Sequence, residues 1–257
     1  MSLLPGTVSS CVSLREQKVR PRKSFKIIVV DGLIGSGKTT FIPKFIEWLE
    51  TKHGKKCIYV EEPVDEWKSS GMLEKFYSNI KQNAYMFHVY TLTTIYNIMK
   101  QKIKEAENIG ADVIVCERSI FSVRHMFAES LIELGFFTPT QINDFEEVFK
   151  RFRDDLPAPD LFVWLDTPLG ICMERIQARN RGNETAGIKE DYQKALWKNH
   201  SKFFEDPNFE YKYVTSPQIY LDYLHKVIRK SEEEEFMDHA YNAVFSPHTF
   251  SQKVSKK

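Results

Sequence analysis

Short apolar runs alternate with longer amphipathic stretches along most of the chain. Each run is four to six residues long, is rich in β-branched or aromatic side chains and ends at a polar or charged residue, which is typical of buried strands. The five runs are Phe25–Val30, Cys57–Val60, Val113–Cys116, Leu161–Leu165 and Tyr211–Val214. Strands that alternate with helices predict parallel βαβ units, and therefore an α/β fold whose sheet is covered by helices on both faces.

Two of the intervening stretches show the spacing of an amphipathic helix. The second of them follows Pro139, where Thr138 or Thr140 could cap the start of the helix. The apolar positions are Phe41, Ile42, Phe45, Ile46 and Leu49 in the first stretch, and Ile142, Phe145, Val148, Phe149 and Phe152 in the second. In such a fold, reactive side chains are expected at the carboxyl ends of the strands.

The composition is that of a globular protein with a sizeable core. The 257 residues are 42% hydrophobic and 28% charged, and 36 Lys and Arg nearly balance 35 Asp and Glu, which leaves a net charge of +1. This balance argues against a nucleic-acid partner, and no apolar run reaches the length that a membrane span needs. The widely spaced cysteines form no CxxC pair, which favours reduced thiols and a cytoplasmic protein.

The sequence divides into three segments. Residues 1–24 carry five basic residues against Glu16 and predict a flexible basic arm, or alternatively an organelle transit peptide that would make the protein mitochondrial. Residues 25–230 hold the alternating strands and helices and form the predicted catalytic domain. Residues 231–257 begin with an acidic run and are predicted to be a polar, solvated C-terminal tail, in which a terminal helix could form.

A glycine-rich segment after the first strand matches the phosphate-binding loop pattern G-x-x-x-x-G-K-[ST] in full. It contains Gly32, Leu33, Ile34, Gly35, Ser36, Gly37, Lys38, Thr39 and Thr40. Glycines let successive backbone N–H groups turn toward a phosphate, and the helix that follows adds the positive end of its dipole. Lys38 is expected between the β- and γ-phosphates and the Thr39 hydroxyl on Mg²⁺, so the segment predicts binding of ATP or GTP.

Acidic residues follow the second and third strands. Glu61 and Glu62 come directly after Val60, where a carboxylate could take a proton from an attacking hydroxyl or hold Mg²⁺; a solvated loop is the alternative. After the third strand, Glu117 could hold Mg²⁺ or its waters and Arg118 could orient the hydroxyl, unless the two form only a surface ion pair. Both positions favour phosphoryl transfer at this edge of the sheet.

Three arginines follow the fourth strand. Arg175 and Arg179 share a helical face, and Arg181 precedes a segment with Gly and Asn that has the composition of a lid. Arginines on a lid would neutralise charge on a phosphoryl group in transfer; a solvated basic helix face is the alternative. In the aromatic stretch 73–95, Tyr77 and His88 combine an apolar body with a hydrogen-bonding tip and are candidate ligand contacts.

Taken in order, the phosphate-binding loop, the EPV motif at 62–64, the ERS motif at 117–119 and the arginine-bearing helix resemble the cellular deoxynucleoside kinases. That family includes deoxycytidine, deoxyguanosine and mitochondrial thymidine kinases and an insect multisubstrate enzyme. The similarity covers residues 25–214. It implies a five-stranded parallel sheet of the P-loop kinase type, a homodimer, ATP as phosphoryl donor with Mg²⁺, and a deoxynucleoside as acceptor.

The resemblance also implies roles for single residues. Glu62 matches the carboxylate near the sugar 5′-hydroxyl, which is the general base, and Arg118 matches the arginine that orients the hydroxyl and the carboxylate. Glu117 matches an acid that is associated with Mg²⁺ and is sometimes itself named as the proton acceptor. The other matched positions are Tyr77 and Glu184, for the sugar 3′-hydroxyl, and Trp67 and Phe127, as aromatic walls of the nucleoside pocket.

The chain departs from the family at positions that face the base. His88 stands where the family has a glutamine that pairs with the base, and Val123 and Ile95 stand where the deoxycytidine and deoxyguanosine enzymes have Asp and Arg. Thymidine-type enzymes have small or apolar residues there, so we expect thymidine or broad pyrimidine use. The family's loop over the ATP adenine is not evident near Thr215, which leaves the donor preference open.

The predicted function is transfer of the γ-phosphoryl group of ATP to the 5′-hydroxyl of a deoxyribonucleoside, in nucleotide salvage. Thymidylate kinase is the closest alternative, but it commonly has an arginine where Glu61 stands, and Glu61 would repel a monophosphate. A noncatalytic subunit with the same fold is a second alternative. Such a subunit should have lost Lys38, Glu62 or Arg118, and all three are present.

Overall fold

The computed structural model describes residues 23–179, 188–206, 209–216 and 230–246, which form a five-stranded parallel sheet. Its strands are β1 (Lys26–Gly32), β2 (Cys57–Val60), β3 (Val113–Glu117), β4 (Leu161–Leu165) and β5 (Tyr213–Thr215). Their order across the sheet is β2-β3-β1-β4-β5. The predicted α/β fold class is confirmed, and each strand begins and ends within two residues of its predicted position.

Helices connect the strands and cover both faces of the sheet. Before β4 they are α1 (Lys38–His53), α2 (Val64–Ser69), α3 (Met72–Ser78), α4 (Ile80–Ile109), α5 (Ile120–Ser122), a π-helical turn (Val123–Ala128), α6 (Glu129–Glu133) and α7 (Pro139–Asp155). After β4 they are α8 (Leu169–Arg179), α9 (Glu190–Phe204) and α10 (Lys230–Phe245). The start of α7 agrees with the sequence prediction, because Thr138 Oγ1 accepts a hydrogen bond from Gln141 N at 3.2 Å.

Alternate side chains of each strand point to opposite faces of the sheet and form two apolar cores. On one face, Ile28 and Val163 pack with α1 and α10. On the other face, Ile27 and Phe162 pack with residues of α4, α7 and α9. Because all strands are parallel, the motifs that follow β1, β2, β3 and β4 meet at one edge of the sheet.

The C-terminal helix α10 corrects the prediction of a solvated tail. Phe236, Met237, Ala240 and Val244 are buried against the sheet and α1. Their spacing of i, i+1, i+4 and i+8 places them on one side of the helix. The acidic run that precedes Phe236 hid this pattern among polar residues, although the apolar face is continuous in the folded chain.

The structure also bears on the predictions made from composition. Cys57, Cys116 and Cys172 are free thiols, and burial raises the pKa of Cys116 to about 12 and that of Cys172 to about 11. None of the helices in the described ranges is both long and apolar enough to cross a membrane. Residues 1–22 of the predicted N-terminal arm lie outside the described residues, so its nature stays a prediction.

Candidate active site

The phosphate-binding loop lies between β1 and α1, as its pattern predicts. Gly35 has a φ of +85°, and a Cβ on it would lie 2.6 Å from the backbone oxygen of Cys172, so only glycine fits there. Lys38 Nζ turns back onto the loop and donates to Leu33 O at 3.1 Å. Burial, followed by the charge of Arg118, lowers the pKa of Lys38 to about 8, although nearby carboxylates oppose the shift.

The two residues predicted to hold Mg²⁺ are in contact. Thr39 Oγ1 donates to the Glu117 carboxylate, at 3.1 Å from Oε1 and 3.2 Å from Oε2. Tyr59 OH donates to Oε2 at 2.9 Å, and burial together with this carboxylate raises the pKa of Tyr59, which keeps the phenol protonated. Within the described residues, no group of three or more His, Cys, Asp or Glu could hold a metal ion. The hydroxyl and carboxylate oxygens suit a Mg²⁺ that also binds phosphate and water.

Glu62 and Arg118 form an ion pair where β2 and β3 end. Arg118 Nε lies 3.0 Å from Glu62 Oε1, although its N–H does not point at that oxygen. The guanidinium is buried and lies over the ring of Phe127, 4.4 Å from its centroid. Burial raises the pKa of Glu62; the charge of Arg118 opposes the rise and that of Glu117 adds to it. A carboxyl group with a raised pKa is a stronger proton acceptor once it is ionised.

The backbone of Arg118 is in the left-handed region, with a φ of 65°. It is the one non-glycine residue with positive φ in the part of the chain that the structure describes. This conformation costs on the order of 1 kcal/mol for a residue with a Cβ, and such strain persists where the surroundings hold the residue in place. Here the backbone N–H of Arg118 donates to Val30 O at 3.0 Å.

A buried carboxylate at the end of β1 holds Arg118 from the other side. Asp31 is fully buried, and its Oδ1 accepts from Arg118 Nη1 at 2.8 Å and from the backbone N of Gly32 at 2.8 Å. His200 Nε2 lies 3.1 Å from the same oxygen, and Ser122 Oγ donates to Oδ2. Burial would raise the pKa of Asp31, but the contacts with His200, Arg118 and Ser122 hold it well below its usual value.

A cleft of about 840 Å³ joins these groups to an aromatic pocket. We call the part around Lys38, Thr39, Glu62, Glu117 and Arg118 the phosphate end. We call the part lined by Trp67, Phe76, Tyr77, Phe87, His88, Val123 and Phe127 the base end. The cleft is also lined by the predicted residues Ile34, Gly35, Gly37, Thr40, Arg175 and Arg179. Arg181 and Glu184 lie outside the described residues.

The base end presents a neutral histidine in an aromatic frame. His88 Nδ1 lies 2.7 Å from Ala84 O, which can only accept, so Nδ1 carries the proton and donates. Burial lowers the pKa of His88 to about 4, which leaves Nε2 as an acceptor at neutral pH. Trp67 meets Phe87 edge to face, with ring centroids 5.9 Å apart, and donates from Nε1 to Thr94 Oγ1 at 2.9 Å.

Val123 and Ile95, which were paired in the sequence analysis, lie in different places. Val123 is buried at the start of the π-helical turn and lines the base end, and Phe127 follows in the same turn. Such turns are frequent at functional sites. Ile95 is also buried, but it lines a separate apolar cavity with Met99 and Phe121. Of the pair, only Val123 therefore lines the cleft.

The helix α8 contacts the phosphate-binding loop through its arginines. Arg175 Nη1 donates to Ser36 O at 3.1 Å and to Gly35 O at 3.3 Å. Arg179, one turn later, lines the same cleft. Both side chains are therefore close to the place where the loop would hold a phosphate.

Asp31, Tyr59, Tyr192 and His200 are among the residues of the site that the sequence did not predict. An acidic residue inside the apolar run that forms β1 is a signal that could have identified Asp31, because a buried charge in a strand needs a partner. Tyr59 and Tyr192 line the cleft but belong to no motif. His200 is 169 residues from Asp31 in sequence, and no local pattern links the two.

Comparison with known proteins identifies relatives of the chain. The model of the deoxynucleoside kinase family matches residues 28–245. A probable deoxycytidine kinase of Fowlpox virus is 28% identical over 187 residues, which are 72% of this chain and 74% of the relative. A deoxyguanosine kinase of Lactobacillus johnsonii is 28% identical over 204 residues, which are 76% of this chain and 81% of the relative. A deoxyadenosine kinase of Dictyostelium discoideum is 27% identical over 179 residues, which are 70% of this chain and 66% of the relative.

A solved structure shares the fold. It is a deoxyadenosine kinase from M. mycoides with the products dCMP and a flexible dCDP bound. The TM-score is 0.63 at 21% sequence identity, and the match covers 82% of this chain and 97% of the other. The family model spans nearly all of the residues that build the sheet and the cleft, and the chain therefore belongs to the deoxynucleoside kinase family.

Proposed function

We propose that this kinase transfers the γ-phosphoryl group of ATP to the 5′-hydroxyl of a deoxyribonucleoside and prefers thymidine or other pyrimidine nucleosides. The observation that carries the proposal is that one cleft holds both the phosphate-binding loop and the Glu62–Arg118 pair. The loop suits the triphosphate of the donor, and the pair suits an alcohol that loses a proton as it attacks.

In the proposed reaction, Glu62 accepts the proton of the 5′-hydroxyl while the new O–P bond forms and the bond to ADP breaks. Its raised pKa supports this role. Arg118 orients the hydroxyl and the carboxylate, and Lys38 and Arg179 neutralise charge on the phosphates. Arg181 belongs to this set by resemblance alone. Alignment and charge neutralisation supply most of the rate in phosphoryl transfer.

Thr39 and Glu117 are the proposed holders of Mg²⁺. Their oxygens lie within 3.2 Å of each other at the mouth of the loop, and both are hard ligands of the kind that Mg²⁺ takes. When bound, the ion would neutralise phosphate charge. Glu117 is the runner-up for the role of proton acceptor.

An alcohol fits the acceptor site better than a phosphate does. Glu61 and Glu62 both line the cleft, and a monophosphate facing them would be repelled. Arg118, the cation nearest to Glu62, is already engaged by Glu62 and Asp31. These contacts support a nucleoside kinase over the alternative of a thymidylate kinase.

The preference for thymidine rests on the single acceptor that His88 presents. Thymine carries a proton at N3, which can donate to His88 Nε2, whereas cytosine N3 carries none and would face another acceptor. Val123 adds an apolar wall at the same end of the cleft. A glutamine, which both donates and accepts, would not make this distinction.

A phosphate-transfer assay with radiolabelled ATP tests the proposal. Thymidine, deoxycytidine, deoxyguanosine, deoxyadenosine and thymidylate are supplied separately, and kcat/KM is compared. We expect thymidine to rank first and thymidylate to be inert. A preference for deoxyguanosine would refute the pyrimidine assignment, and phosphorylation of thymidylate alone would refute the alcohol acceptor. N3-methylthymidine, which lacks the N3 proton, should be a poorer substrate than thymidine.

Two further parts of the proposal concern the protein as a whole. We propose a homodimer, which the family resemblance supports and which light scattering would measure. We also propose a cytoplasmic location. Fluorescent fusions with and without residues 1–22 would distinguish it from the mitochondrial alternative.

A further inference from the structure

The guanidinium of Arg118 is held between two carboxylates, of which only one faces the cleft. Glu62 lines the cleft, while Asp31 lies behind the arginine and is fully buried. Asp31 Oδ1 takes a hydrogen bond from Arg118 Nη1 at 2.8 Å, and Glu62 Oε1 lies 3.0 Å from Nε. The direction of the Arg118 side chain, and with it the position of Glu62, therefore depends on Asp31.

His200 is a second partner of Asp31. Its Nδ1 lies 2.7 Å from Leu196 O and its Nε2 lies 3.1 Å from Asp31 Oδ1. The imidazole and the carboxylate are both fully buried, and a buried carboxylate needs polar partners of this kind.

The result is a row of contacts that runs from His200 through Asp31 and Arg118 to Glu62. Without His200, Asp31 would lose one of the partners that hold its carboxylate in place. With His200 in place, the direction of the Asp31 carboxylate is fixed, and so is that of the guanidinium that donates to it. A buried carboxylate left with too few partners would be costly, so each member stabilises its neighbour.

We infer that Asp31 and His200 are positioning residues of the reaction: together they fix Arg118, and through it Glu62, in the orientation that the acceptor hydroxyl needs. Neither residue lines the cleft, so neither touches the substrate. The strained backbone of Arg118 fits this role, because a residue in the left-handed region keeps its direction only when its surroundings hold it. The inference rests on the proposed roles of Glu62 and Arg118.

The helix α9, which carries His200, also contacts the phosphate-binding loop. Gln193 Nε2, two turns before His200, donates to Ile34 O at 2.7 Å. One rigid helix thus contacts the donor loop and the row of contacts behind the acceptor site. A displacement of the reacting groups by about 1 Å can cost roughly 10²-fold in rate, so a shared support for both sides has a direct effect on catalysis.

The test uses the full-length enzyme with the variants Asp31→Asn, His200→Gln and His200→Leu. Asp31→Asn keeps the shape but removes the charge, and we expect kcat to fall by about 10²-fold while the KM for ATP changes little. Gln can still donate one hydrogen bond to Asp31 and Leu cannot, so His200→Gln should retain clearly more activity than His200→Leu. Rates are normalised to the sites that bind a nonhydrolysable ATP analogue, measured by calorimetry.

Asn199 provides the matched control. It is buried on the same helix and donates to Ser130 Oγ at 3.0 Å, away from Arg118. Asn199→Leu should lower the melting temperature and leave the normalised kcat unchanged. Wild-type kcat per binding site in Asp31→Asn, or equal rates in the two His200 variants, would overturn the inference.

A direct measurement on the unchanged enzyme complements the variants and holds even if they fail to fold. Nitrogen NMR of the His200 ring should show Nε2 in a hydrogen bond with Asp31, and a free Nε2 would contradict the row of contacts. Glu62→Gln separates this inference from the proposed function. If Glu62→Gln loses activity and Asp31→Asn does not, only the positioning role fails; if Glu62→Gln stays active, the proposed reaction fails.

Discussion

The phosphate end and the base end of the cleft are built in opposite ways. At the phosphate end, charged groups have an opposite charge or a hydrogen-bonding partner within about 3 Å, as for Glu62, Arg118 and Glu117. At the base end, aromatic rings pack against each other, and His88 contributes one acceptor nitrogen. The phosphate end therefore holds charged groups in fixed positions, and the base end provides a mostly apolar surface.

This difference teaches which property each end can control. A dense network of charges determines the reaction, because moving one member leaves its partners unbalanced. A mostly apolar pocket discriminates weakly between ligands of similar size, since each methylene or hydroxyl changes binding by only about 1–3 kcal/mol. We therefore expect variants at the phosphate end to abolish turnover and variants at the base end to change substrate preference.

The strongest test of this contrast is Glu62→Gln at the phosphate end. Removing the proposed proton acceptor should lower kcat by at least about 10²-fold, the range that general-base catalysis supplies. Binding of the ATP analogue should survive, because the loop is untouched; steady-state kinetics and calorimetry measure the two effects. Glu61→Gln, which removes the exposed neighbouring carboxylate, is the matched control and should have a much smaller effect. A near-normal rate in Glu62→Gln would remove this residue from the mechanism.

The neutral state of His88 predicts a pH dependence of stability. The pKa of His88 is lowered to about 4 in the folded protein, against about 6.5 for a histidine in an unfolded chain. The unfolded state therefore binds the proton first, so this contribution to stability is complete above pH 6.5 and is lost as the pH falls toward 4. The loss amounts to about 3 kcal/mol.

Urea unfolding at several pH values measures this effect. The free energy of unfolding should fall between pH 6.5 and 4.5 more steeply for the unchanged protein than for His88→Gln, which has no titrating group there. Parallel curves for the two proteins would mean that His88 is not kept neutral by burial. The base end would then take up a charge below about pH 6.5, and the contrast with the phosphate end would be broken.

The same substitution sharpens the contrast in substrate choice. His88→Gln replaces a lone acceptor by an amide that both donates and accepts, which suits the N3 acceptor of cytosine. We expect kcat/KM for deoxycytidine relative to thymidine to rise by roughly tenfold, within the 1–3 kcal/mol that a good base contact supplies. The measurement is a competition assay with both nucleosides present. An unchanged ratio would show that His88 does not contact the base.

Phe127 belongs to both ends, and its substitution should have the smallest effect. Its ring lies 4.4 Å from the guanidinium of Arg118 and also lines the base end. Phe127→Leu keeps the apolar volume and removes the cation–π contact, which is worth about 0.5–2 kcal/mol. We expect kcat to fall by a few-fold with little change in the ranking of nucleosides. A change of ranking larger than the loss of rate would place Phe127 in base recognition instead.

Local patterns in the sequence predicted the sheet and the phosphate-binding loop, because both depend on neighbouring residues. The apolar runs that form β1–β5 alternate with helices. The glycines of the loop and Lys38 lie close together in the sequence. The motifs that begin at Glu62 and Glu117 each follow a strand, so the parallel topology was enough to predict that they meet.

What the sequence did not reveal depends on contacts between distant residues. His200 approaches Asp31 because α9 packs against the π-helical turn, α6 and α8, and the pairing leaves no periodic trace in the sequence. The apolar side of α10 was hidden by the acidic residues before Phe236. The neutral state of His88, with its proton on Nδ1, could not be predicted either, because it depends on the Ala84 carbonyl and on burial.

The position of β1 in the middle of the sheet has a consequence for how the chain is made. Its neighbours β3 and β4 lie roughly 80 and 130 residues further along, and the helix that completes one apolar face comes last. A ribosome must therefore release most of the polypeptide before β1 gains both partners. Pairings this far apart fold slowly and leave apolar surface uncovered for longer. Synthesis at low temperature or with chaperones in excess should raise the yield of the native enzyme.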